Sequence, residues 1–213
     1  MSPAGIGSSR AGVAESAAAA VRAILAGGLA VVPTDTVYGL ACTALAEDPA
    51  RRLYALKGRT EIQPSAVLFP SAAALHEHVP ELGERARRAI GALLPGPYTL
   101  VLENPAHRFP WLNRARPEAI GVRVPAVSGA GLAVLEGVRA LVATSANLPG
   151  GPDPRALADV PRELIDGVDA VVDGGALPGV ASTVVDLTGA APLVLREGAV
   201  PAQEALARIA SEV

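Results

Sequence analysis

Lys57 is the only lysine in a chain that carries 18 lysine and arginine residues, the other seventeen being arginine. The two are not interchangeable: lysine presents a compact point charge, arginine a planar fork of donors. A site that sets a small cation against a phosphate oxygen has reason to keep the lysine. Lys57 stands in Leu56-Lys57-Gly58-Arg59, with Gly58 suited to stop a helix. Basic residues at a helix C-terminus commonly just answer the helix dipole; Lys57 and Arg59 could instead offer a triphosphate one point charge and one fork.

Four further groups have the right types for ligand chemistry. Thr34-Asp35-Thr36 follows an apolar run and can cap a following helix, whose first amides would favour an anion. Arg123 lies inside the apolar run Gly121-Val122-Arg123-Val124-Pro125, where an arginine needs a partner. It is either a clamp for a ligand carboxylate or half of a structural ion pair with an internal Asp or Glu. Ser145 and Asn147, two apart at a strand end, face the same way if extended and form a pair of neutral hydrogen-bonding groups. Ser182-Thr183 before an apolar strand, and Arg196 after the last one, could complete a polar rim.

Other chemistries lack their parts. There is no Gly-rich loop ending in GK[ST], no GxSxG elbow and no HExxH. His76, His78 and His107 have no metal-ligand partners at useful spacing, and the first two read as solvated residues of a loop or helix end. Cys42, the single cysteine, lies in an apolar stretch and reads as core.

These residues must be positioned by alternating helices and strands. Helical patterns cover Ala14–Ala26, Pro49–Leu56, Glu81–Leu94, Ala130–Gly137 and Pro201–Ile209. Strand patterns cover Leu29–Val32, Ala66–Phe69, Tyr98–Leu102, Ile120–Val124, Leu141–Thr144, Asp169–Val172, Thr183–Leu187 and Leu193–Leu195. The interleaving predicts an α/β layered fold with a mixed sheet. A flexible tail over residues 1–11 and one domain over 12–213 are expected, since nothing reads as an interdomain linker. With 50% hydrophobic and only 3% aromatic residues, the core must be built from Ala, Val and Leu. One cysteine excludes an internal disulfide, and no apolar run is long enough to span a bilayer, so a cytoplasmic protein is expected. A net charge of −3 gives no global pull toward nucleic acid.

Taken in order, PTDTVYGL, KxR, PGPYTLVL at Pro95–Leu102, GVRVP, ATSAN, STVVDLT at Ser182–Thr188 and LREG at Leu195–Gly198 resemble the YrdC-like family, the threonylcarbamoyl-AMP synthases. The motifs span roughly residues 15–200, and the chain resembles the short single-domain type, without the extra C-terminal domain of longer relatives. The resemblance implies a twisted open mixed sheet flanked by helices, with a concave cationic cavity. It implies that L-threonine, bicarbonate or CO2, and ATP give threonylcarbamoyl-AMP and pyrophosphate, and that a separate downstream transferase complex uses the product for t6A modification of tRNA at position 37. Carried over, Thr36, Arg123, Ser145 and Ser182 would hold threonine. Lys57, Arg59, Gln63, Asn147 and Arg196 would hold ATP, with Lys57 and Arg59 as the catalytic cations and Mg2+ riding on the triphosphate. The chain departs from the family pattern at Ala41, Thr60, Gln63, Leu68 and Ala181. Those departures leave two alternatives: a non-adenylating paralogue that binds double-stranded RNA or tRNA, and a carbamoyl-adenylate domain acting on another acceptor, as in larger carbamoyltransferases.

Overall fold

The computed structural model describes residues 10–58 and 64–211. In chain order the elements are α1 (Arg10–Leu25), β1 (Ala30–Pro33), β2 (Tyr38–Thr43), α2 (Glu47–Leu56), β3 (Ala66–Leu68), α3 (Ala72–His78), α4 (Glu84–Leu93), β4 (Tyr98–Glu103), β5 (Ala119–Arg123), α5 (Gly129–Val138), β6 (Leu141–Ser145), α6 (Arg162–Asp166), β7 (Ala170–Val171), β8 (Thr183–Asp186), β9 (Leu193–Arg196) and α7 (Ala202–Ala210). Nine strands of the described residues form one mixed sheet in the order β7-β1-β2-β6-β3-β5-β4-β8-β9. Three parallel pairs (β1–β7, β3–β5, β4–β8) are mixed with five antiparallel ones, in keeping with the mixed sheet that the interleaved sequence pattern predicts. No helix of the described residues is long and apolar enough to cross a membrane.

The two faces of the sheet are covered unequally, and this creates the site. One face carries Val31, Leu40, Val67, Leu100, Val122, Val142 and Val185 into a core closed by α2, α3, α4 and α7. The opposite face is covered by α1 and α5 only over the β1, β2 and β6 side, through Ala30, Val32, Ala41, Leu68 and Leu141. Strands under both layers are buried throughout, as in β1 and β2. Strands with one bare face alternate between buried and half-buried residues, as in β4, β5 and β8. The packing of α1 on α5 is close because Gly137 has no side chain: a Cβ there would lie 2.6 Å from a methyl of Val21.

Three sequence expectations are corrected. No helix follows Thr34-Asp35-Thr36; the segment is the turn of an antiparallel hairpin, with Pro33 paired to Tyr38 and β2 running on from it. The Thr34 hydroxyl donates to the Val37 carbonyl at 2.7 Å and accepts from the Thr36 and Val37 amides at 3.2 and 3.3 Å, so the side chain closes a turn instead of capping a helix. Residues 10 and 11 of the expected tail belong to α1, and residues 1–9 lie outside the described residues. His76 and His78 are half-buried on α3: His78 Nδ1 lies 2.8 Å from the Ala74 carbonyl and its ring packs on Phe69.

Candidate active site

The uncovered face of β6, β3, β5, β4, β8 and β9 is the floor of a cleft of about 510 Å³. Ala66, Gly121 and Ala143, paired side by side across β3, β5 and β6, keep the floor low. A Cβ on Gly121 would sit 3.3 Å from the Ala66 backbone, so even a methyl group would crowd the strand pair. Of the expected site residues, Thr36, Arg123, Ser145, Ser182 and Arg196 all line this cleft. They come from four places: the β1–β2 turn, the end of β5, the end of β6, and the β8–β9 hairpin with the residue before it. Arg116, Arg123 and Arg196 are the cations of the described lining, and Asp153 is its carboxylate.

Ser182 reaches the cleft at the end of an irregular strap, residues 172–182, that joins β7 at one edge of the sheet to β8 near the other. Seven strand spacings amount to about 34 Å, and the twelve steps from Val171 to Thr183 reach about 40 Å, so the strap has little slack. It is fastened to the first hairpin: Tyr38 Oη lies 3.1 Å from Asp173 Oδ1 and 2.8 Å from the Gly175 carbonyl, and the Gly179 amide donates to the Thr36 carbonyl at 2.8 Å. Burial, aided by Asp173, pushes the Tyr38 phenol up to about 12, so it stays a neutral donor. At the strap's end Ser182 Oγ is 2.8 Å from Thr99 Oγ1, and Arg196 Nη2 donates to the Ser182 carbonyl at 2.9 Å and hydroxyl at 3.2 Å.

Arg123 is half of a structural ion pair with an internal carboxylate, one of the two readings the sequence allowed, and it also lines the cleft. Its Nη2 pairs with Asp35 Oδ1 at 2.7 Å and lies 3.3 Å from Thr36 Oγ1, while its Nε is buried without a hydrogen-bond partner among the described residues. Burial lowers the Arg123 pKa from its ordinary value; Asp35 opposes this, and the charge of Arg196 across the cleft adds to it. Burial likewise raises the Asp35 carboxyl, against Arg123 and the Ala126 amide. An anion entering between Arg123 and Arg196 would relieve this repulsion.

Lys57 does not line the cleft in this conformation. It is 7% exposed, and its ammonium is tied to the loop after β6: 2.6 Å from Asn147 Oδ1, 2.8 Å from the Asn147 carbonyl, and in contact with the Ser145 carbonyl. Ser145 Oγ donates to Asn147 Oδ1 at 2.7 Å, and Asn147 Nδ2 donates to the Gly151 carbonyl at 2.7 Å. Arg59, Gln63 and the departure at Thr60 lie outside the described residues. Of the other departures, Ala41 and Leu68 are buried in the sheet, and Ala181 lines the cleft beside Ser182.

Sequence reasoning missed three contributors. Thr99 lies two residues from Val101 on the bare face of β4, a placement that strand alternation could have given. Thr144 Oγ1 is buried without a partner among the described residues. Arg116 is held over the cleft by Asp186 Oδ2 at 3.0 Å and by the Thr188 hydroxyl, a contact seventy residues away in the chain. No group of three or more His, Cys, Asp or Glu among the described residues could hold a metal ion.

The fold is a mixed α/β sheet whose bare face forms a cleft lined by arginines and neutral hydroxyls. The family profile described as telomere recombination, that of Sua5, YciO and YrdC, matches residues 22–198. The chain belongs to this family. It is 34% identical over 179 residues to the threonylcarbamoyl-AMP synthase of Pyrococcus abyssi, covering 84% of this chain and 52% of that protein. It is 36% identical over 192 residues to the human threonylcarbamoyl-AMP synthase, covering 84% of this chain and 65% of that one. The crystal structure of P. abyssi Sua5 complexed with L-threonine superposes with a TM-score of 0.80 at 30% identity, over 96% of this chain and 59% of that one. The chain thus spans between half and two thirds of the length of these relatives.

Proposed function

We propose that this protein is an L-threonylcarbamoyladenylate synthase, converting L-threonine, bicarbonate or CO2, and ATP into threonylcarbamoyl-AMP and pyrophosphate. The observation that carries this reading is the convergence of Thr36, Arg123, Ser145, Ser182 and Arg196 on one cleft whose described lining holds arginines and hydroxyls and no cysteine, lysine or histidine. The names of the relatives point to the same chemistry.

In this reading Arg123 takes the threonine carboxylate, with Thr36, Ser182 and Ser145 hydrogen-bonding around it. Lys57, Arg59, Gln63, Asn147 and Arg196 take the nucleotide. The threonine amine, having lost its ammonium proton, attacks the one-carbon unit to form a carbamate; water leaves when the source is bicarbonate. A carbamate oxygen then attacks the α-phosphorus, and the bond to the pyrophosphate leaving group breaks. The protein performs no covalent step. It contributes positioning, cations where charge develops on the leaving group, and exclusion of water from a short-lived carbamate. Mg2+ enters as part of the ATP substrate. The adenylate passes to a separate transferase that modifies tRNA, and direct RNA contact is not needed for the synthesis.

The test is pyrophosphate release from ATP, Mg2+ and bicarbonate with and without L-threonine. Threonine-dependent release, weaker with serine and nearly abolished in Lys57→Ala or Arg59→Ala, is expected. No release from demonstrably folded protein, or wild-type rates in both variants, would overturn the assignment. In that case a filter-binding titration with double-stranded RNA, read for its salt dependence, tests the paralogue alternative.

A further inference from the structure

The Asp35–Arg123 pair separates two spaces. Arg123 and Thr36 line the cleft, whereas Asp35 lines a different cavity of about 560 Å³, behind the first hairpin, together with Ala126 and the start of α5. Asp35 thus reaches the guanidinium from the neighbouring cavity and is not part of the cleft lining. Its two oxygens have separate tasks. Oδ1 takes Arg123 Nη2 at 2.7 Å, and Oδ2 accepts the backbone amide of Ala126 at 3.0 Å. That amide lies three residues beyond Arg123 in the same chain segment, so the carboxylate ties the arginine's side chain and its following backbone into one frame. Both side chains are largely buried, Asp35 at 6% and Arg123 at 11% exposure. Arg123 Nε, by contrast, is buried and has no hydrogen-bond partner among the described residues. A buried guanidinium donor without an acceptor is costly unless a ligand supplies one.

We propose that Asp35 is a positioning residue for substrate recognition: it braces Arg123 from the neighbouring cavity, so that the part of the guanidinium that lines the cleft is held ready for the carboxylate of an α-amino acid. The inference rests on the threonine role given above to Arg123. Asp35 does not touch the substrate. It restricts the rotamers of Arg123 before the ligand arrives, so that less ordering remains to be done on binding. It also supplies the charge that lets an arginine stay ionised at this depth.

The test compares wild type with Asp35→Asn, Arg123→Lys and the double variant, measuring threonine and ATP kinetics and, separately, L-threonine binding by calorimetry. An asparagine puts an NH2 donor where one of the two carboxylate oxygens accepts, so it faces either the Arg123 guanidinium or the Ala126 amide donor to donor and the frame must shift there. The expected result for Asp35→Asn is a rise of about 10-fold or more in the KM and Kd for threonine, with the KM for ATP unchanged. In the Arg123→Lys background the same change should add little, because the brace then has no fork to orient. Unchanged threonine binding in folded Asp35→Asn protein, an equal loss for ATP, or a full effect that persists in the Arg123→Lys background would overturn the proposal. Circular dichroism and thermal unfolding establish folding; if Asp35→Asn does not fold, Asp35→Glu, which keeps the charge but displaces it by a methylene, gives the same readouts. Wild-type protein that binds threonine but releases no pyrophosphate would sink the synthase reading while leaving the brace testable by calorimetry.

Discussion

The ammonium of Lys57, at the end of α2, lies 2.6 Å from Oδ1 of Asn147, ninety residues later in the chain. A second bond to the Asn147 carbonyl at 2.8 Å and a contact with the Ser145 carbonyl complete the hold on the loop after β6. One point charge thus organises three oxygens that no other described cation reaches in the same way. The lone lysine fixes Ser145 and Asn147 in the ligand-free protein.

Removing it should therefore cost stability as well as activity. Lys57→Ala takes this donor from the half-buried Ser145 and Asn147 carbonyls and leaves Asn147 Oδ1 only the Ser145 hydroxyl, at about 1–3 kcal/mol. Denaturant unfolding should register this, and pyrophosphate release should nearly vanish. Lys57→Arg should restore neither, because a planar fork cannot replace a compact ammonium among oxygens so closely grouped. A Lys57→Ala protein as stable as wild type would show that the loop does not depend on this cation.

Thr144 gives a prediction of opposite sign. Its hydroxyl is buried at the cleft with no partner among the described residues. Thr144→Val removes that unmet group while keeping the shape, and should raise the stability of the ligand-free protein by about 1 kcal/mol. Threonine-dependent turnover should fall at the same time if the hydroxyl meets a substrate atom. A loss of stability in Thr144→Val would mean that the hydroxyl is already satisfied in the free protein.

The Asp186 carboxyl sets an acid limit. Burial alone would raise it, but the hydroxyl and amide of Thr188, at 2.6 and 2.8 Å, together with Arg116, hold it below the ordinary carboxylate value. Folding thus favours the ionised form. The contribution is complete above the unfolded pKa, about 4, and is lost as pH falls through the lower folded value. Asp186→Asn should lower stability at neutral pH and flatten its dependence below about pH 4. It should also loosen Arg116 over the cleft. Parallel stability curves for the two proteins down to strongly acidic pH would contradict the linkage.

Much of this was legible where a residue's role is local. Alternation along Tyr98–Glu103 marks β4 as half-covered, and the polar residues of GVRVP and ATSAN stand out against apolar strands. The hairpin strand β2 was not legible. YGLACT is buried on both faces and shows no alternation, and Thr34 can close a turn as well as cap a helix. Partners distant in the chain were not legible either. Nothing near Arg116 announces Asp186, and nothing near Lys57 announces Asn147; only the sheet order, which sets β6 between β2 and β3, brings the latter pair together. The brace of Arg123 was legible only as an unnamed carboxylate, because the sequence offers many and the hairpin turn alone selects Asp35.

Cys42 supplies a probe of the whole sheet. It sits in the middle of β2, opposite Val142 on β6, with no exposure to solvent. Burial pushes its thiol up to about 12, with Arg52 opposing, so the reactive thiolate is scarce near neutral pH. Reaction with an aromatic disulfide at pH 8 should be absent on the timescale of minutes for native protein and immediate, one thiol per chain, in denaturant. Because the sulfur lies in the core that α2 closes, the slow native rate reports lifting of that helix from the β2–β6 pair that carries Ser145 into the cleft. Saturating L-threonine and ATP should slow it further, since a ligand held between Thr36 and Ser145 stabilises the closed pair. Rapid labelling of native protein, unaffected by ligands, would show that β2 is not the buried central strand its surroundings make it.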